Sequence, residues 1–355
     1  MNETNVTTDE PQLTHCEVLY REQHRAASAI GWRYAVMGIV VIALQFLAGA
    51  VLSVVAPDFY INNLGFVSLL LTLVTFDVIG FLLVFLLTRN MNKVQIEKKR
   101  MPFGHLILAI LISAGFCGVG SIIGVFVHTL LTLPFGGDGS TDISMIMLNS
   151  SMWLRILVVG IGAPVIEEII FRKFLIDRTV MFGEFFAIFL SGIFFGLFHG
   201  NFSQFFFATL LGFFFAFIYI KTGNVLYTII LHMVINMTTS VVTTVLAGKY
   251  LNAIGDGTTE NVMNALTTNP LPIVMYLLWI FVLFIICFVG LIVFIVTVVK
   301  KKYKLTPVEG GCTKKKTIYV SIFNVGSLLF FAETLILFAN AYVLPALQYI
   351  LSLEH

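Results

Sequence analysis

Read as apolar and polar positions, the chain alternates long apolar runs with short polar breaks. Runs of about 18 or more apolar residues match what a helix needs to cross hydrocarbon. The hydropathy pattern predicts about nine spans, near 34–56, 63–88, 104–133, 153–178, 184–200, 203–220, 224–247, 271–299 and 317–348. The fifth and sixth are short and rich in Phe, and only "HGNFS" separates them. The expected fold class is all-α: a polytopic transmembrane helical bundle with any active site inside it. A polar tail over 1–33 precedes the first spans in 34–149, a central block covers 150–247, and further spans fill 248–355.

Composition strengthens that reading. The chain is 58% hydrophobic and only 11% charged, with a mean hydropathy of +0.97, whereas soluble domains carry roughly 25% charged residues. A net charge of +2 leaves no electrostatic footprint for nucleic acid or an acidic partner. Cys16, Cys117, Cys287 and Cys312 show no paired spacing, so neither a disulfide framework nor a metal cluster is expected. Residues 1–31 lack the basic and apolar regions of a cleaved signal peptide, so the first span is expected to act as its own insertion signal.

Cations gather on alternate flanks: around Arg21–Arg33, Arg89–Arg100, Arg172–Arg178, Lys221 and Lys300–Lys316. The other flanks (57–62, 134–150, 201–202 and 248–270) hold almost none, Lys249 excepted. The positive-inside bias then predicts a cytoplasmic N-terminus and an outward C-terminus. The plasma membrane of a bacterium is the expected location. The basic segment 300–316 suits anionic lipid headgroups.

A charge at mid-bilayer costs roughly 2.5–3.5 kcal/mol on insertion scales, so each ionisable residue inside a span needs a reason. These are Asp77, His128, Glu167, Glu168, Arg172, His199, His232 and Glu333. In "EEIIFR" Glu168 and Arg172 are four apart on one helix face, the favourable order for an ion pair. Snorkelling to the headgroups would explain Arg172, Lys173 and Arg178, with Glu168 as a partner. It leaves Glu167, about 100° round the helix, with none. In "FGLFH" Phe195 and His199 stack one turn apart, a spacing that also suits a packing histidine. In "HMVIN" His232 and Asn236 share a face, and Asn commonly joins membrane helices by hydrogen bonding.

Counted at about 1.5 Å per residue, Glu167 lies about 16 Å from the cytoplasmic side, His199 about 25 Å, His232 about 12 Å and Asn236 about 18 Å. All four fall within reach of one another if their helices pack together. Pro164, after Gly160 and Gly162, offers a kink that can shift Glu167.

Together the three motifs, EExxxR, FxxxH and HxxxN in that order, resemble the CPBP family: CAAX proteases of the Ras-converting type and bacterial Abi bacteriocin-processing relatives. The resemblance covers about residues 150–245. Lys173 stands where many members carry Gly. The resemblance implies an intramembrane endopeptidase of glutamate type. Its catalytic set would be Glu167, Glu168, His199, His232 and Asn236, supported by Arg172 and Phe195. Glu167 would activate a water held by His199, His232 and Asn236 would donate to the oxyanion, and Glu168 would pair with Arg172. No cofactor is expected. The expected partners are membrane lipids and a membrane-proximal or lipidated peptide, with no nucleic acid.

Two other readings use the same residues. Glu167, His199 and His232 could form an open zinc site for metal-dependent hydrolysis, with Glu168 behind one histidine. The polar cluster could instead be structural, in a non-proteolytic immunity or scaffold protein, with Asp77 and Glu333 as parts of an ion path.

Overall fold

In hydrocarbon no water is at hand for the peptide groups, so a spanning chain must satisfy them within itself, and helices do so. The computed structural model describes residues 14–136, 142–306, 308 and 312–353, and among them every regular element is helical. The nine apolar stretches correspond to α1 (His15–Val55), α2 (Leu64–Thr88), α3 (Phe103–Phe135), α4 (152–182), α5 (Glu184–Phe198), α6 (Phe202–Thr222), α7 (Val225–Ile254), α8 (Leu271–Val299) and α9 (Val325–Ser352). Seven of these are long and apolar enough to cross a membrane. The exceptions are α4, with Glu167, Glu168, Arg172 and Lys173 in its middle, and α5, of 15 residues.

Several boundaries move. The expected tail over 1–33 is helical from His15, because Thr14 and Glu17 form a capping box that starts α1 there; residues 1–13 lie outside the described residues. At 41 residues, α1 is about 60 Å long and outreaches the hydrocarbon. The expected outer loop 248–270 is largely helical, through the end of α7 and Thr259–Thr268. The ninth span is broken at Phe323–Asn324, where Asn324 caps α9 after the short helix Lys314–Ile322. The outer loop 134–142 falls mostly outside the described residues.

Helices approach closely where glycine removes the side chain between them. A Cβ on Gly31 of α1 would run into the backbone of Gly326 in α9, and one on Gly326 would run into Ser28. Gly115 and Gly290 bring α3 against α8 in the same manner, and Gly192 and Gly212 bring α5 against α6. The main core lies where α1, α4, α5, α6 and α9 meet, around Tyr34, Phe171, Phe186, Phe194, Phe195 and Phe330. By contrast α8 buries little, and its apolar side chains face outward, as a lipid contact requires.

The basic flanks meet at one end of the bundle. Arg33 Nε donates to Leu87 O and Arg178 Nε to Thr88 O. The extended strap after α2 is tied by Val94 N–H to Asp177 O and Lys99 N–H to Thr222 O. Glu184 receives Lys221 and Thr306. Cys16 and Cys312, expected to be unpaired, form a disulfide at this end. Their separation of 296 residues hid the pairing from any spacing rule. Disulfides are rare in a reducing cytoplasm, so this pair argues against a cytoplasmic basic end, while the cation bias argues for one.

Gly326→Val should loosen α1 from α9, since its Cβ would lie 2.6 Å from Ser28 C. Overpacking of this kind costs about 1–3 kcal/mol. A lower melting temperature and an aggregated fraction on size exclusion in detergent are the expected readouts, with Val325→Ala, on an exposed residue, as the control.

Candidate active site

In α4 the helix is widened twice, into π-helical turns at Arg155–Gly162 and Ile169–Phe174, with Ala163–Glu168 between them. Proline explains the first. Ala163 N–H reaches back five residues to Val158 O. The next donor in that pattern would serve Val159 O, but residue 164 is Pro and has no N–H. Asn236 Nδ2 fills the vacancy, donating to Val159 O at 2.9 Å. The second wide turn is served in the same way: Tyr34 Oη donates to Ile170 O at 2.6 Å and Ser191 Oγ to Phe171 O at 2.7 Å. π-turns also occur at Leu73–Gly80 and Met237–Val242, a type of distortion frequent at functional sites.

Between the wide turns the two glutamates part. Glu168 and Arg172 are fully buried. Arg172 Nε lies 3.0 Å from Glu168 Oε2, and Arg172 Nη2 donates to Oε1 at 3.1 Å. That same Oε1 accepts from His232 Nδ1 at 3.1 Å. Ser191 Oγ takes Arg172 Nη1 at 3.1 Å, and the guanidinium lies over the Phe195 ring, 4.6 Å from its centroid. Glu168, expected within the reacting set, therefore lies behind the site, because Arg172 and His232 claim it.

Glu167 points the other way, into a cavity of about 360 Å³. His199, His232, Asn236 and Phe195 line the same space, so the structure brings together the residues of all three motifs. His232 Nε2 lies 3.8 Å from Glu167 Oε2. His199 ends α5, where Gly200, at φ +65°, turns the chain into α6. Its Nδ1 is 2.8 Å from Phe195 O.

A carbonyl and a carboxylate only accept, so both Nδ1 atoms carry the proton, and each Nε2 is left with its lone pair when the ring is neutral. Phe195 packs edge-on against both rings, at 5.0 Å from His199 and 5.7 Å from His232, which holds their planes. Asn236 spends one amide proton on Val159 and keeps the other.

Glu167, His199 and His232, the residues of the alternative zinc reading, all line that cavity. Among the described residues no three His, Cys, Asp or Glu side chains converge as a metal site would require. Lys173, where many relatives of the motif carry Gly, lies away from the cavity. It pairs with Asp177 at 3.0 Å, and Asp177 also accepts from Tyr219 Oη at 2.6 Å. Sequence reasoning missed Tyr34 and Ser191, which serve carbonyls of α4, and Gln204, which lines the cavity; none carries a signal of its own.

Residues 149–238 match the family described as Type II CAAX prenyl endopeptidase Rce1-like. Over that segment the chain is similar to the CAAX-protease family. It contains Glu167, Glu168, Arg172, Phe195, His199, His232 and Asn236. The chain is also 37% identical over 87 residues to the "Putative membrane peptidase YdiL" of Bacillus subtilis (strain 168). That match takes in 23% of this chain and 34% of the relative's length. No solved structure matches the chain. Most helices that wall the CAAX-protease segment, α1, α2, α3, α8 and α9, lie outside it.

Glu168→Gln should leave the Arg172 charge uncompensated in a dry interior, at a cost of about 3–5 kcal/mol. The expected result is a large drop in melting temperature in lipid nanodiscs. Combining Glu168→Gln with Arg172→Met should recover part of it, because no bare charge then remains.

Proposed function

We propose that the chain is an intramembrane endopeptidase that cleaves a membrane-proximal peptide bond with a water activated by Glu167. One observation carries the reading. Of two adjacent carboxylates, Glu168 is neutralised by Arg172 and accepts from His232 Nδ1, and Glu167 alone faces the cavity with His199, His232 and Asn236. The family match over 149–238 and the likeness to a membrane peptidase support proteolysis as the activity.

The chemistry follows from the donors and acceptors present. Glu167 takes a proton from water, and the oxygen attacks the substrate carbonyl carbon. His199 Nε2, left unprotonated by the bond from Nδ1, accepts the water's second O–H and aims its lone pair. The C=O π-bond breaks and its electrons move onto oxygen. The remaining N–H of Asn236 donates to that oxyanion. His232 can donate there only with both ring nitrogens protonated. Glu167 then returns its proton to the amine as the C–N bond breaks.

This scheme needs no metal, and we assign none. The substrate class is a lipidated protein tail or a peptide precursor held at the bilayer. In line with the cation bias, we place the basic end in the cytoplasm and the protein in a bacterial plasma membrane.

Glu167→Gln should fold and insert normally yet lose cleavage by about three orders of magnitude or more, the scale on which loss of a general base acts. Mass spectrometry of cells producing it should show uncleaved peptides that wild type removes. Wild-type turnover in that variant would sink the mechanism. Activity should survive 1,10-phenanthroline; loss in the chelator with recovery on adding zinc would instead favour the metal route.

A further inference from the structure

The cavity holds a second carboxylate that the scheme above does not use. Glu333, in the first third of α9, lines it on the side of α1, outside the family segment. Glu333 is 2% exposed, and among the described residues neither of its oxygens has a hydrogen-bond partner. Room for it comes from Gly38 of α1: a Cβ there would collide with the carboxylate. Among the described residues no Lys or Arg lines the cavity, and Arg172 is committed to Glu168 behind it. A bare carboxylate in hydrocarbon is costly, and such groups face a pathway or a partner. Two carboxylates, Glu167 and Glu333, therefore share one space that lacks a counter-charge.

We infer that Glu333 binds a basic side chain of the substrate, Lys or Arg, and so sets which peptides enter the cavity. The inference rests on the proteolytic reading for the word substrate, but the cation site itself does not. A Lys or Arg stem suits the apolar walls, with its charged end on Glu333. The pairing would neutralise the carboxylate on binding, so a peptide with a neutral or acidic residue at that position would leave Glu333 bare and be disfavoured.

The test uses the full-length protein in lipid nanodiscs. Lipid-anchored peptides, each with one Lys walked through the positions near the cleaved bond, are compared with the same peptides carrying norleucine. At one position Lys should raise kcat/KM at least ten-fold over norleucine in wild type. That ratio should collapse to about one in Glu333→Gln and recover in part in Glu333→Asp. An unchanged ratio in Glu333→Gln, or no position with a preference for Lys, would overturn the inference.

A second arm needs no cleavage. Hexylammonium should raise the melting temperature of wild type and of Glu167→Gln but not of Glu333→Gln, with hexanol as the neutral control. Equal shifts in all three proteins would refute a cation site at Glu333. Absence of cleavage with the hexylammonium shift intact would refute proteolysis alone.

Discussion

The ion pair of Glu168 and Arg172 has no water to fall back on. Both side chains are fully buried within a membrane bundle, where removing either partner leaves an uncompensated charge. Everything around the site is arranged on that pair. Phe195 lies under the guanidinium, Ser191 takes one of its N–H groups, and His232 shares the carboxylate oxygen Oε1. Through these contacts one charged pair on α4 fixes a ring on α5 and an imidazole on α7. Glu167 is left to the cavity, while Arg172 and His232 Nδ1 are held by its neighbour.

The backbone contributes as much as the side chains. Pro164 removes a donor from a helix that has none to spare, and the deficit at Val159 is met by a side chain from another helix. The same motif residue, Asn236, thus repairs the backbone and lines the cavity. Tyr34 and Ser191 serve carbonyls of the next wide turn. Helix distortion in a membrane is tolerated where neighbouring helices re-satisfy the freed groups, and here the same neighbours carry the site.

Much of the site was legible from local spacing. The EExxxR register states that Glu168 and Arg172 share a face and that Glu167 does not, and the structure keeps that division. The HxxxN and FxxxH spacings likewise place pairs on one face. Other expectations failed for reasons of distance. The cysteines looked unrelated because 296 residues separate them. That His232 also reaches Glu168 was hidden for the same reason, since 64 residues separate them. The end of the N-terminal tail was misjudged because hydropathy does not register a polar helix held by a capping box.

Hydropathy, helical period and charge order are properties of a segment, so the sequence by itself determined the membrane class, the helices and the ion pair within α4. Which carboxylate faces the cavity, which carbonyl Asn236 completes, and that Glu333 shares a space with Glu167 are properties of helix packing. They depend on where Gly31 and Gly326 let backbones meet and where Gly38 leaves room for the Glu333 side chain. Those contacts join residues hundreds of positions apart, and only the assembled bundle decides them.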